Sequence, residues 1–115
     1  MNTNHQLDGF IKQDCEFTEL FRAVCNDEYE SIVKNNKFIY FPYAMEMKWF
    51  ATSYEHAKIW ADSLYPDDTY KIIKVTIPLL QIRNMFFCKS LDGIGPAFAA
   101  DVGLLNEIAK KVELI

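Results

Sequence analysis

The stretch KWFATSYEHAKIWA, residues 48–61, changes rhythm in its middle. Its first half, KWFATS, is aromatic and β-prone. The segment that follows repeats Ala57, Trp60, Ala61 and Leu64 at i, i+3, i+4 and i+7, one apolar stripe on a helix. A strand therefore runs directly into a helix. Thr52 with Glu55 matches the reciprocal pattern that closes a helix N-terminus, and Ser53 has a weaker partner in His56. With Thr52 sufficient as the cap, Ser53 is left as the hydroxyl that capping does not need.

The chain reads outward from that junction. FTELFRAV (17–24) is a strand with Arg22 inside its apolar end. NDEYESIVKNN follows as a helix: Asn26 or Asp27 supplies the cap, Tyr29, Ile32 and Val33 share a face, and Asn35-Asn36 accepts the backbone needed to stop. KFIYFPYAME (37–46) is aromatic, but Pro42 makes it an extended loop or an edge. PDD at 66–68 ends the second helix. TYKIIKVTI alternates, with Ile73, Val75 and Ile77 on one side, and predicts the clearest strand. LLQIRNMFFCK is either a short helical turn and a strand or one strand. SLDGIGPA (90–97) predicts a loop, and ADVGLLNEIAKKVELI a loop or short helix before a last strand over 111–115. Helices placed early and not alternating with strands predict an α+β fold, with 1–15 a loosely packed segment and 16–115 a single domain.

Of the 115 residues, 50% are hydrophobic and 15% aromatic, enough for one modest core. The net charge of −4 does not indicate steering toward nucleic acid or an anionic membrane. Cys15, Cys25 and Cys88 are odd in number and form no CxxC pair, which points to reduced thiols in a cytoplasmic setting rather than a disulfide framework or zinc site. No apolar run approaches the ~20 residues of a membrane span. No signal peptide is visible, which fits a cytoplasmic protein or one delivered into a target cell as part of a larger system.

His5 and His56 do not make a metal site, and DGIGPA does not sit between a strand and a long helix as a dinucleotide-binding loop requires. Three features carry chemistry. Arg22 is either a structural ion pair or an anion clamp, since guanidinium presents a rigid fork of donors. Thr52 and Ser53 either cap the helix or line a cleft at its N-terminus. Glu107 is either a solvated surface carboxylate or one that holds a sugar hydroxyl and stabilises a developing cation.

An Arg on the first strand, hydroxyls closing an aromatic strand and a late Glu resemble the motifs of the ADP-ribosyltransferase superfamily. FRAV with its helix, KWFATSYEHAKIWA, IIKVTIP and LDGIGPA together look like domains at the C-termini of bacterial Rhs-type polymorphic toxins, over most of residues 20–100. The resemblance implies a small split β-sheet with NAD in the cleft between its halves. It places Arg22 on the cofactor's phosphate or ribose, Ser53 with Thr52 at the nicotinamide-ribose pocket, and Trp49 or Phe50 near the nicotinamide. Glu107 would grip the ribose 2′-hydroxyl, with Glu113 and Asp101 as competitors. It further implies transfer of ADP-ribose to a macromolecular acceptor, as a toxin or effector with an immunity partner. The lack of an E-x-E pair before the last strand argues against an arginine-modifying variety. The contrasting expectation is a non-catalytic interaction module that uses the aromatic strip FIYFPYAMEMKWF (38–50).

Overall fold

A computed structural model describes residues 16–39, 47–65, 67 and 69–115. The α+β expectation holds. Strand β1 (Phe17–Cys25) leads into helix α1 (Asn26–Asn35), and β2 (Met47–Ala51) into α2 (Tyr54–Leu64). Then come β3 (Tyr70–Pro78), a 3₁₀ helix (Leu79–Asn84), β4 (Phe86–Leu91), β5 (Gly95–Asp101), α3 (Val102–Ile108) and β6 (Lys111–Leu114). The predicted loose segment over 1–15, with Cys15 and His5, lies outside the described residues, as does the Pro42 loop.

All strands join one six-stranded sheet in the order β4-β5-β2-β1-β3-β6, every neighbour antiparallel. The ladders are uneven. β1 is registered with β3 along its whole length, from Phe17↔Pro78 to Cys25↔Tyr70, and β2 with β5 from Met47↔Asp101 to Ala51↔Ala97. β1 and β2 share a single pair, Phe21↔Ala51. Beyond it β1 runs on through Arg22 and β2 runs back through Phe50 with no further register, so the sheet is split between the triplets β4-β5-β2 and β1-β3-β6.

Strand alternation sends side chains to two cores. Leu20, Val24, Phe50, Ile73, Val75 and Ile77 pack with Ile32 of α1 and Leu105 and Ile108 of α3. On the opposite face Ala51, Ile72 and Ala97 pack with Ala57 and Trp60 of α2. The predicted stripe on α2 is therefore correct for Ala57, Trp60 and Ala61, while Leu64 is exposed.

Local corrections have local causes. α1 starts without a spacer, so the last residue of β1 stands at its N-cap: the Cys25 Sγ accepts from the Glu28 amide at 3.4 Å, in place of Asn26 or Asp27. Asn36, at φ 55°, ends the helix as its type predicts. The segment 90–97 is a tight hairpin rather than a loop. Asp92 and Gly93 have φ of 56° and 73°, and Ile94 donates back to the Leu91 carbonyl at 3.0 Å. That is the backbone an Asp-Gly hairpin turn needs. β5 then follows where the sequence suggested a loop or short helix.

Candidate functional site

The sheet's split holds a cavity of about 390 Å³. From the α1 face it is walled by Arg22, Glu28 and Lys48. From the α2 face come Ala23, Met47, Trp49, Trp60, Leu64 and Leu91, and Asp92 stands at the hairpin turn. Lining from both faces follows from its position where two strands diverge.

Arg22 bridges the divergence. Its Nε and Nη2 donate to the two carboxylate oxygens of Glu28 at 3.0 and 3.1 Å, and its Nη1 donates to the Trp49 carbonyl at 3.0 Å. The buried Lys48 donates to Glu28 Oε2 at 3.3 Å. Burial pushes the Glu28 carboxyl up, but Arg22 and then Lys48, by charge and hydrogen bond, together hold it below its usual value of 4.5. Burial also lowers the Lys48 ammonium, and Glu28 offsets this only in part. Isolated charges at such burial are costly, so each keeps the others in place. Arg22 is thus the structural ion pair of the two sequence alternatives. Three of its five N–H groups are committed, and only the remainder can reach a ligand.

The other expected site residues separate. Trp49 lines the cavity. Phe50 does not: it is fully buried, edge-on to Phe38 at 6.0 Å. Ser53 is the N-cap of α2, its Oγ accepting from the His56 amide at 3.2 Å, so the expectation that Thr52 caps and Ser53 is spare is reversed. Helix α2 begins at Tyr54, one residue later than a Thr52 cap requires. Neither hydroxyl is among the cavity's lining residues. Glu107, on α3, borders a different depression with Pro78, Gln81, Asn84 and Lys110. Glu113 pairs with Lys74 and Lys111 at 3.6 and 3.4 Å, and Asp101 caps α3 by accepting from Leu104 at 2.8 Å. None of the three late acids lines the cavity.

Glu28, Lys48, Trp60 and Asp92 were missed. Lys48 carried the same signal as Arg22, a cation on a strand that otherwise faces a core. Asp92 was hidden by treating DGIGPA as a loop. Its carboxylate has no bonded partner among the described residues, so the cavity combines two cations, one spent carboxylate and one free carboxylate. The Trp60 indole Nε1 is buried and has no hydrogen-bond partner among the described residues, although the ring lines the cavity.

No family model matches the chain, nor does any curated protein or solved structure. Among the described residues no helix is long and apolar enough to cross a membrane, and no cluster of three or more His, Cys, Asp or Glu is placed to hold a metal.

Proposed function

We propose that the chain is an ADP-ribosyltransferase-like domain that binds NAD in the split of the sheet, with Asp92 rather than Glu107 as the carboxylate that serves the reaction. The observation that carries this reading is the cavity itself. It lies between the halves of a split sheet and places Arg22, Trp49 and a free carboxylate on one space.

Each wall has a part. Trp49 and Trp60 offer apolar, polarisable surface to a planar ring. The N–H groups that Arg22 does not give to Glu28 and Trp49 face phosphate or ribose oxygens. In the reaction the bond between the ribose carbon and the nicotinamide nitrogen breaks, and its electron pair leaves with neutral nicotinamide. The ribose carbon becomes oxocarbenium-like, and the Asp92 side chain stabilises that charge and accepts from a ribose hydroxyl. The acceptor's nucleophilic oxygen or nitrogen then forms the new bond and loses its proton to solvent. Water in that role gives NAD hydrolysis. The acceptor in the full reaction is a macromolecule, and an immunity protein would act by covering the cleft.

The test is a thermal shift with NAD together with nicotinamide release. NAD at 100 times its dissociation constant should stabilise the fold by about 2.7 kcal/mol. Asp92→Asn should keep the shift and lose release by about 100-fold or more, while Glu107→Gln should keep both. Release lost in Glu107→Gln and kept in Asp92→Asn would return the role to Glu107. No shift at millimolar NAD and no release would leave the non-catalytic interaction module. That module would lie elsewhere than the aromatic strip's described ends, since Phe38 and Phe50 are core.

A further inference from the structure

We propose that the free edge of β6 and the groove beside it bind an acidic, extended peptide segment of a partner protein by strand addition. The proposal is independent of the NAD reading, because the groove shares no residue with the split cavity.

The groove measures about 450 Å³ and lies between α1, the α3–β6 connection and the β3–β6 end of the sheet. Its apolar floor includes Ile32, Ile73 and Val112. At its margins the apolar side chains Val33 and Leu114 are 63% and 51% exposed, though both sit on regular elements next to the core. One wall is fixed by a reciprocal clasp: Asn106 accepts from the Phe38 amide at 2.7 Å and donates to the Phe38 carbonyl at 2.9 Å. That wall is therefore held in place by its own hydrogen bonds.

Charge decides the occupant. Lys37 and Lys110 line the groove, both exposed and with no ion-pair partner among the described residues, and Lys71 lies 5.5 Å from the ring of Tyr29 in its wall. No carboxylate is among the lining residues. Lys111 also lines it but is held by Glu113 at 3.4 Å. A cationic, apolar-floored groove in a chain of net charge −4 selects an anionic partner with apolar anchors.

The backbone decides the mode. Among the described residues β6 is the outermost strand, paired only with β3. The Ile115 amide donates to the Ile72 carbonyl at 3.0 Å, which makes that a hydrogen-bonded pair. Antiparallel alternation then turns the N–H and C=O of Leu114, and of Val112, away from β3. An added strand takes main-chain bonds there, and its alternate side chains fall on the groove. The other edge, β4, exposes Phe86 and Phe87 beside a single exposed cation, Lys89.

The experiment titrates the whole chain with a fluorescein-labelled peptide of about six residues that alternates aspartate with valine and leucine. A peptide with lysine in place of aspartate and vesicles containing phosphatidylserine are the comparisons. Expected are saturable binding of the acidic peptide alone, amide shifts at Val112 and Leu114 in NMR spectra, and weakening with salt. Lys37→Glu with Lys110→Glu should weaken binding by about tenfold with an unchanged Tm. Leu114→Pro removes an outward N–H without touching the β3 ladder, and it should weaken binding too. Equal binding of both peptides, insensitivity to the lysine reversals, or preference for the vesicles would overturn the proposal. Peptide binding that survives Leu114→Pro unchanged would overturn strand addition.

Discussion

The Arg22 guanidinium donates to the Trp49 carbonyl at 3.0 Å across the gap where β1 and β2 have ceased to pair. A side chain thus replaces ladder bonds at the one place the sheet comes apart. Its orientation depends on Glu28, which grips the other side of the fork.

Glu28→Gln should therefore be among the most damaging single changes outside the apolar core. It leaves Arg22 and the buried Lys48 without their shared counter-charge, a loss of about 3–5 kcal/mol for breaking such a pair from one side. Urea denaturation measures it. A change under about 1 kcal/mol, the range of an exposed ion pair, would mean the trio is solvated.

The same carboxylate makes stability depend on pH. Its folded-state value is depressed, so its contribution is present above the ordinary value of 4.5 and is lost as pH falls through and below that point. Lys48 gives the same direction of pH dependence, but from a cost, since folding disfavours its charged form. With its folded value lowered, stability rises with pH just below the ordinary 10.5. Urea midpoints should fall from about pH 5 downward, and less steeply in Glu28→Gln. An identical acid limb in the variant would assign the effect to other groups.

Ser53→Ala should cost about 1 kcal/mol, the usual loss of an N-cap, because the His56 amide loses its acceptor. Thr52→Ala should cost less than half of that, since no hydrogen bond of its hydroxyl supports α2. Thermal melts of the two variants, read side by side, decide which hydroxyl starts the helix.

Gly95→Ala tests the contact between α2 and β5. A Cβ at residue 95 would lie 2.5 Å from the Cε1 and Nδ1 atoms of His56. The imidazole is wedged there with a buried Nδ1 that has no partner among the described residues. Overpacking of this kind costs about 1–3 kcal/mol. Gly95→Ala/His56→Ala should recover most of the loss, because the second change removes the obstructing ring. Failure to recover would place the strain in the backbone instead.

How much of this the sequence disclosed depends on where the information resides. β3 was legible because Ile73, Val75 and Ile77 alternate with polar residues. α2 was legible because its stripe has helical period. β5 was not: GPAFAAD lacks β-branched residues, and its extended form comes from pairing on both sides, with β4 and β2. The Asp-Gly pair did announce the hairpin that aims β5, but the second glycine and the proline made a loop the simpler expectation. Arg22 was conspicuous as a charge in an apolar strand. Its partner Glu28 was not, because an acid in the first turn of a helix is ordinary and only tertiary packing buries it. Glu107 was chosen for its position late in the chain, and order along a chain does not fix which cavity a side chain faces.

The single register pair Phe21↔Ala51 has a mechanical meaning. Two three-stranded plates meet at one rivet. Within each plate, motion must break several hydrogen bonds at once; between plates, a rotation about the rivet works against the Arg22 tether and the two apolar cores that span both plates. The backbone ladder therefore constrains the angle between the plates least, and side-chain packing across the split sets it.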